Sequence, residues 1–430
     1  GINAEYGEAK EMYKCDEKRM EEKIKTFGTF GDAGHGGITR FTLSDADKQA
    51  RNYFKSRMEN IGAKVTVDDW GCMYATLAGS EPHLKSIMSG SHCDSVANGG
   101  NYDGILGVIG AMEMLETIVA NKIPHRHPIT AMIWTNEEGS LYPPAMMVSG
   151  AICHQFLPQQ IAKNLEPQKM LQSKSRLSQE TFGEALDKSG FKGAKENRIS
   201  RENALCMVEL HIEQGPILEA AQKNVGVVTC VLGMFNYRIY TKGQSDHAGT
   251  TPMKYRRDAL FAAAQALQWL HTEIDKLGYE DLVYTTGEIQ CHPCVHTVIP
   301  DAVDFSLDVR HESKEVLEKV RQVVLSLPKE LAKCEVSTTL MWERDTVYFD
   351  KNLVEMVQQS VDELHISHQR INSGAGHDAQ FCAYMLPTTM IFVPSKEGHS
   401  HCEQEFTPVQ QCTDGATILL NTVLKADARL

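Results

Sequence analysis

Residues 86–119, SIMSGSHCDSVANGGNYDGILGVIGAMEMLETIV, decide the fold because they join a strand pattern to a helix pattern. Residues 86–92 form a short run typical of a buried strand, and residues 105–119 carry apolar side chains at helical spacing on nearly all sides. Three further runs resemble buried strands: ITAMIWT at 129–135, ALCMVELH at 204–211 and TTMIFVPS at 388–395. Strands that alternate with helices in this way predict an α/β domain with a mostly parallel sheet.

A segment with a different rhythm interrupts this pattern between residues 229 and 343. Its strand-like stretches are MFNYRIYTKG (234–243), LVYTTGEIQ (282–290), DAVDFSLDVR (301–310) and CEVSTTLMWE (334–343), with helix patterns at 256–278 and 313–327. The order βαββαβ is typical of a compact, ferredoxin-like two-layer unit. We therefore expect an inserted lid or dimerisation domain at 229–343, and a first domain formed by 1–228 and 344–430. Helices would cover one face of the inserted sheet, and its edge would pair with a second copy in a homodimer.

Length and composition exclude several classes of protein. The chain has 430 residues, long enough for two domains, and its formal net charge of −13 disfavours nucleic acid and anionic membranes as partners. No apolar run reaches the 18 residues that suggest a membrane span, and the polar N-terminus lacks the apolar core of a signal peptide. The twelve scattered cysteines indicate reduced thiols rather than a disulfide framework. We expect a cytoplasmic enzyme that acts on a small molecule.

Histidines and carboxylates recur at or just after the carboxyl ends of the predicted strands. Because open α/β sheets place their sites at this edge, we expect these side chains to meet. Imidazole and carboxylate together favour zinc or manganese over calcium. His92 and Asp94 share one face of an extended segment, so Asp94 is expected to hold the second ring nitrogen of His92. The candidates along the chain are His92, Asp94, Asp103, Glu137, Glu138, His211, His399, His401 and Glu405.

The adjacent acids Glu137 and Glu138 follow a buried strand directly, in the sequence TNEEGS. An ordinary solvated turn is one interpretation, since acids are usually exposed. A pair of metal ions is the other, because one acid then acts as a ligand while its neighbour stays free as a base. A second candidate, CHPC at 291–294, is either a redox pair, half of a zinc site, or two unpaired thiols in a loop; we favour the last.

Seven motifs resemble a known group of enzymes: GSHCDSV, NYDGILGV, NEEG, ELHIEQGPILE, DHAGTTP, SGAGHDA and GHSHCEQEFT. They are similar to those of the dinuclear metal amidohydrolases that include N-carbamoyl-L-amino acid hydrolases, beta-ureidopropionase (beta-alanine synthase) and allantoate amidohydrolase. These are relatives of the aminoacylase and carboxypeptidase G type peptidases. The resemblance runs from about residue 36 onwards, and the fungal beta-alanine synthases look most similar.

The resemblance implies a role for each matching residue. Asp103 would bridge two divalent metal ions, with His92 and His211 on one ion and Glu138 and His401 on the other. Glu137 would be the general base and acid. The substrate would carry a carboxylate, and the remaining implied residues are His247 for the developing oxyanion, Arg310 for that carboxylate, and Gln214, Thr297 and His377 for the substrate pocket.

The chain also departs from the family pattern. Thr297 stands where the family usually has Asn, SLYPPAMM follows the paired glutamates, and His399 and Cys402 flank the last ligand. The resemblance implies hydrolysis of an N-carbamoyl amino acid, such as N-carbamoyl-beta-alanine, to the amino acid, ammonia and carbon dioxide. The alternative within the group is an amidase for a dipeptide, an N-acyl amino acid or allantoate. A non-catalytic binding protein is the third possibility, but the base and the bridging ligand are both retained.

Overall fold

The computed structural model describes residues 12–430 and divides into two compact units. Unit 1 comprises the chain up to Thr229 together with Tyr348–Leu430, and unit 2 is Cys230–Val347. Residues 1–11, part of the N-terminal stretch for which no signal peptide is expected, lie outside the described residues. Within residues 12–430, no helix has both the length and the apolar character needed to cross a bilayer.

Unit 1 contains most of the secondary structure. Its strands are β1 (Asp32–Gly34), β2 (Gly37–Ile38), β3 (Lys64–Val67), β4 (Met73–Leu77), β5 (Ser86–His92), β6 (Ile129–Trp134), β7 (Ala204–Ile212), β8 (Val225–Val231, whose end reaches unit 2), β15 (Val347–Tyr348, at the second boundary), β16 (His368–Ser373) and β17 (Thr388–Val393). Its helices are α1 (Glu17–Phe27), α2 (Asp45–Asn60), α3 (Ile105–Ala120), α4 (Met147–Ile152), α5 (Gln159–Ala162), α6 (Pro167–Leu171), α7 (Phe182–Lys188), α8 (Ile217–Ala220), α11 (Lys351–Glu363), α12 (Asp378–Cys382) and α13 (Val409–Arg429).

The main sheet of unit 1 runs in the order β15-β8-β17-β7-β5-β6-β4-β3, with β16 paired to β8. Its four central strands, β17, β7, β5 and β6, are parallel, while β8, β4 and β3 are antiparallel to their neighbours. Every residue of β5, β6 and β17 is buried, which explains why these strands lack the apolar–polar alternation of a one-sided sheet. The predicted α/β domain with a mostly parallel sheet is confirmed.

Helix α3 lies against β5 and β6 and is buried for nearly its whole length. Helices α1 and α13 pack against it, which accounts for the apolar side chains on nearly all its sides. Its first residue, Ile105, follows Asp103 and Gly104, so the helix fixes the position of Asp103 at the carboxyl end of β5.

Unit 2 is a sheet in the order β10-β12-β9-β14-β13, with β11 also paired to β12 and all of these pairs antiparallel. Its helices pack on one face of the sheet, and a single core joins them to the inward side chains of β9 and β12. The elements of unit 2 are β9 (Gly233–Lys242), α9 (Ala259–Asp275), β10 (Val283–Thr285), β11 (Ile289–His292), β12 (Ala302–His311), α10 (Lys314–Leu325), β13 (Glu330–Leu331) and β14 (Cys334–Arg344).

Two details of unit 2 differ from the sequence expectation. The stretch LVYTTGEIQ is not one strand, because the chain breaks between Thr285 and Ile289 into β10 and β11, which pair with different parts of β12. Cys291 lies in β11 rather than in a loop, and it is partly buried. Cys294 follows the strand and is exposed. All twelve cysteines fall within the described range and all are free thiols.

Candidate metal centre

Asp103 lies at the centre of a cluster of polar side chains, whose other members are His92, Glu137, Glu138, His211 and His401. The two carboxylate oxygens of Asp103 face different partners. Oδ1 is 3.4 Å from His92 Nε2 and 3.2 Å from His211 Nε2. Oδ2 is 2.8 Å from His401 Nε2 on the opposite side. Nε2 of His401 is in turn 3.4 Å from Oε2 of Glu138. A single carboxylate therefore separates two sets of metal-ligand atoms.

His92 ends β5 and His211 lies near the end of β7, the neighbouring parallel strand, so both rings reach the same edge of the sheet. Each Nδ1 faces a backbone carbonyl, that of Asp94 at 2.9 Å for His92 and that of Ile212 at 2.8 Å for His211. Because a carbonyl only accepts, each Nδ1 carries a proton, and Nε2 is the nitrogen that can bind a cation once it is unprotonated. Both imidazoles therefore present a ligand atom toward Asp103.

Gly104 permits this close approach. Its φ is +73°, and an added Cβ would stand 2.2 Å from Cε1 of His92. Any side chain at this position would collide with the imidazole and strain the backbone. The glycine after Asp103 is thus required for the carboxylate and the ring to meet.

Asp94 contacts the second ring nitrogen of His92, as expected, but through its backbone carbonyl rather than its carboxylate. Its carboxylate Oδ1 is 3.5 Å from Nδ1 of His92, farther than the carbonyl of the same residue. The carboxylate instead accepts hydrogen bonds from the backbone N–H groups of Glu137, at 3.2 Å, and Glu138, at 3.0 Å. Asp94 therefore holds the turn that presents the two adjacent acids, because the chain reverses direction at the end of β6.

That turn is not the solvated loop of the simpler interpretation. Glu137 is 6% exposed, and its Oε2 lies 3.1 Å from Nε2 of His92. Burial raises the pKa of Glu137 well above its usual value; His92 opposes the rise and the charge of Glu138 adds to it. Burial, and then the charge of Asp103, raise the pKa of Glu138 to about 7. The cluster thus brings three carboxylates, those of Asp103, Glu137 and Glu138, into one largely buried place with three histidines.

His401 completes the cluster from a different part of the chain. Its side chain is 48% exposed, and the neighbouring carboxylates of Asp103 and then Glu138 raise its pKa to about 10. Gln214, at the end of β7, donates from Nε2 to Asp103 Oδ2 at 3.3 Å and to Ser400 Oγ at 3.0 Å. Gln214 therefore lies against the cluster, next to the loop that carries His401.

The residues fit a pair of divalent cations. Two buried atoms, Nε2 of His92 and Oε2 of Glu138, have no hydrogen-bond partner among residues 12–430, although both face this cluster. Three sets of residues there each bring three possible ligand atoms, nitrogen or oxygen, within 4.8 Å of one another. The sets are His92 with Asp103 and His211, His92 with Glu137 and Glu138, and Asp103 with Glu138 and His401. Cations would satisfy the orphaned atoms and neutralise carboxylate charge.

His377, predicted to line the pocket, packs its ring against His211 with a centroid distance of 4.5 Å. It is 2% exposed, and its Nε2 lies 3.0 Å from Ser373 Oγ. Sequence reasoning missed Glu209, a buried acid behind the cluster that accepts a hydrogen bond from Ser91 at 2.7 Å. An acid inside the strand pattern ALCMVELH, two residues before His211, was the available signal.

Three predicted residues belong to unit 2. The His247 and Thr297 segments adjoin each other, because His247 pairs with Val298 and Ala248 N–H donates to the Thr297 carbonyl at 2.8 Å. Arg310 lies on β12, where Nε and Nη2 donate to the Asp308 carboxylate at 2.9 and 3.2 Å. The Arg310 fork is thus already engaged by a carboxylate of its own strand.

Comparison with known proteins gives a consistent result. The family model of peptidase family M20/M25/M40 matches residues 88–425. The chain is 33% identical to an N-carbamoyl-L-amino-acid amidohydrolase of Rhizobium meliloti, over 96% of this chain and 97% of that one. It is 31% identical to an allantoate amidohydrolase of Bacillus subtilis (strain 168), over 94% and 97% of the two chains. A crystal structure of an amidase of the hydantoinase/carbamoylase family from Burkholderia multivorans superposes with a TM-score of 0.85 at 34% identity, covering 97% of this chain and 99% of that one.

Proposed function

Because this chain belongs to peptidase family M20/M25/M40 and is a hydrolase of amide or ureido C–N bonds, we propose that it hydrolyses an N-carbamoyl amino acid. N-carbamoyl-beta-alanine is the representative substrate, and the products are the amino acid, ammonia and carbon dioxide. The observation that carries the proposal is the Asp103 carboxylate, whose two oxygens face two separate sets of ligand atoms. The names of the similar proteins support the substrate class.

Two metal ions would be held at this site. His92 and His211 would hold one, Glu138 and His401 the other, and Asp103 both. The mixture of imidazole and carboxylate favours zinc, with manganese as the alternative. When bound, such cations polarise a carbonyl oxygen and lower the pKa of a water molecule.

Glu137 is placed to move the proton. Its buried carboxylate lies 3.1 Å from His92 Nε2, and the Asp94 carboxylate fixes its backbone. A raised pKa suits a group that first accepts the proton of the attacking water and then returns it to the leaving nitrogen. Burial also excludes bulk water from this exchange. Glu137 is therefore the general base and then the general acid of the proposed reaction.

The residues of unit 2 would recognise the substrate. His247 would donate a hydrogen bond to the developing oxyanion, and Arg310 would bind the substrate carboxylate through its planar fork. In this structure the Asp308 carboxylate accepts two hydrogen bonds from that fork. Thr297, beside His247, supplies a hydroxyl and a methyl group in place of an amide, so it would alter which amino acids fit. Gln214 and His377 would line the pocket from unit 1.

A substrate panel on zinc- or manganese-reconstituted protein tests the proposal. The panel contains N-carbamoyl-beta-alanine, N-carbamoyl-alpha-amino acids, allantoate, an N-acetyl amino acid and a dipeptide, with ammonia and free amino groups measured separately. We expect the highest kcat/KM with an N-carbamoyl amino acid, and no turnover after removal of the metal. Higher kcat/KM for allantoate would favour the second candidate function, which rests on the 31% identity to an allantoate amidohydrolase. Release of amino groups alone, from the peptide or the N-acetyl compound, would contradict both.

A further inference from the structure

Glu405 joins two segments that are about three hundred residues apart in the chain. Its Oε1 accepts hydrogen bonds from the backbone N–H groups of Tyr102, at 3.0 Å, and Asp103, at 2.8 Å. Its Oε2 accepts from Ser400 Oγ at 2.9 Å and from His401 N–H at 3.3 Å. One carboxylate thus binds the segment of Asp103 with one oxygen and the segment of His401 with the other.

The carboxylate is enclosed in this position. Glu405 is 4% exposed, and a Cβ on Gly100 would stand 2.2 Å from its Oε1, so the backbone passes directly over it. A second route runs through Gln214, whose amide donates both to Ser400 and to Asp103. Together these contacts form a closed hydrogen-bond ring around the side of the cluster that faces His401.

The two proposed metal positions depend on this ring to different degrees. His92 and His211 extend from buried strands, and the imidazole side chain of each is 1% exposed. Asp103 has a backbone contact besides the one with Glu405, because its carbonyl accepts from Ile105 N–H at the start of α3. His401 lies in a loop at φ +57°, a conformation that a side chain favours only when its surroundings enforce it. Its half-exposed ring contributes little packing, so its backbone contact with Glu405 fixes its position.

The hydrogen-bond ring requires a carboxylate at position 405. All four partners donate: three backbone N–H groups and one hydroxyl, divided between two oxygens. A glutamine of the same shape offers one oxygen and one NH₂ group, so one pair of donors would face another donor. An aspartate is one methylene shorter and would not reach both segments.

We propose that Glu405 is a positioning residue that holds His401 against Asp103, so that one metal position depends on it and the other does not. This inference rests on the dinuclear site of the proposed function. Groups behind a metal ligand commonly change metal affinity about 10–100-fold. The Glu405→Gln change should therefore weaken one of two metal equivalents by about 10-fold or more, and leave the other close to wild type.

Titration of metal-free protein with Zn²⁺, in competition with a chromophoric chelator, measures the two equivalents without any substrate. The matched control is Glu403→Gln, an exposed acid in the same loop, which should keep both equivalents at wild-type affinity. Ser400→Ala is the second variant, since it removes the hydroxyl between Glu405 and Gln214 without leaving a donor opposed to a donor. We expect it to weaken the same equivalent less. Circular dichroism of each metal-free variant shows whether it is folded, and Ser400→Ala carries the test if Glu405→Gln is not.

The outcomes separate this inference from the proposed function. Two wild-type equivalents in the folded Glu405→Gln and Ser400→Ala variants would overturn the positioning role and leave the metal site standing. Equal weakening of both equivalents would also overturn it. Fewer than two equivalents in the wild-type protein would overturn the dinuclear site itself, and this inference with it.

Discussion

Glu137 and Glu138 are adjacent in sequence and similar in burial, yet their environments assign them different tasks. Glu138 lies 3.4 Å from His401, within a set of ligand atoms around Asp103, whereas Glu137 faces His92 from the other side. The Asp94 carboxylate binds the backbone N–H groups of both residues, which fixes the direction in which each side chain extends. This division is consistent with the proposed roles, Glu138 as a metal ligand and Glu137 as the base.

Glu137→Gln should abolish turnover while metal content stays near two equivalents. The amide preserves the shape but cannot accept a proton, so kcat should fall at least ~10²-fold, the typical contribution of general acid–base catalysis. Measured kcat and elemental analysis of the same sample give the two values. Glu138→Gln is the informative contrast, because it should lower the metal content first. Near-normal kcat for Glu137→Gln would remove the proposed role.

Metal binding should release protons in a pH-dependent manner. In the metal-free protein the pKa of Glu138 is about 7 and that of His401 about 10, so at pH 7 His401 is protonated and Glu138 about half protonated. Both groups must lose these protons to bind a cation. We expect at least one proton released on Zn²⁺ binding at pH 7, more at pH 6 than at pH 8, and an apparent affinity that falls as the pH falls. Calorimetry in buffers of different ionisation enthalpy measures the release. A count near zero, unchanged between pH 6 and pH 8, would contradict this.

At this scale the sequence indicates residue types better than contacts. The family resemblance drawn from the motifs is confirmed by the family match over residues 88–425. The metal and substrate roles of individual residues stay predictions. Asp94 contacts His92 as expected, but the sequence could not specify the atom, because a two-residue spacing leaves open whether a carbonyl or a carboxylate turns toward the ring. Glu405 was among the candidates, but its contacts with Tyr102 and Asp103 could not be predicted because those residues are about three hundred positions away.

Among the elements, α3 connects the site to the rest of unit 1. It begins just after Asp103, and in its middle Glu113 and Glu116 form a buried ionic network with helix α1. Lys23 of α1 is 0% exposed; its Nζ donates to Glu113 at 2.9 Å and to Glu116. Arg19 and Arg57 bind the same two acids from the side. The network replaces apolar packing at a place where the helix is otherwise enclosed by hydrophobic residues.

Lys23→Met should destabilise unit 1. Removal of one partner from a buried ionic network costs about 3–5 kcal/mol, because the remaining charges stay desolvated. The matched control is Lys25→Met on the same helix, where the side chain is 75% exposed and pairs with Glu21. Its effect should stay within about 0.5 kcal/mol. Thermal melting midpoints of the metal-free proteins compare the two variants. Equal midpoints would show that the arginines alone neutralise both acids.

Most elements were predictable from the sequence because their periods are strong. The buried strands β5, β6, β7 and β17 and the helix α3 coincide with the predicted runs to within two residues. The strand boundaries within LVYTTGEIQ were harder to predict, because its residues are exposed or half-exposed and Gly287 lies between β10 and β11. A weakly buried edge has no apolar pattern to fix the register, so tertiary pairing with β12 decides where each strand ends.

At the scale of the whole molecule, every proposed metal ligand belongs to unit 1, while His247, Thr297 and Arg310 belong to unit 2. A catalytic group on a separate unit serves a site when that unit moves in, or when a partner chain presents it. We propose that the chain forms a homodimer through unit 2, and that His247 acts either on the partner's site or after closure of its own chain.

Mixing two inactive variants distinguishes these arrangements. His247→Ala and Glu137→Gln subunits are combined and allowed to exchange. If His247 acts across the dimer, each heterodimer regains one complete site, and statistical mixing restores about a quarter of wild-type activity in a two-fold dimer. Size-exclusion chromatography with light scattering establishes the dimer, and differently tagged subunits show exchange. Exchange without recovered activity would leave closure within one chain.

The position of β17 in the main sheet has a consequence for synthesis on the ribosome. Residues 388–393 lie between β7 and β8, which precede them in the chain by well over a hundred residues. During translation, the edges of β7 and β8 that pair with β17 therefore stay unpaired until residue 393 has left the exit tunnel. By then the continuous stretch Cys230–Val347 has been fully synthesised. A premature stop codon anywhere before residue 388 would leave a nascent chain with its central sheet divided, and with exposed strand edges that invite aggregation.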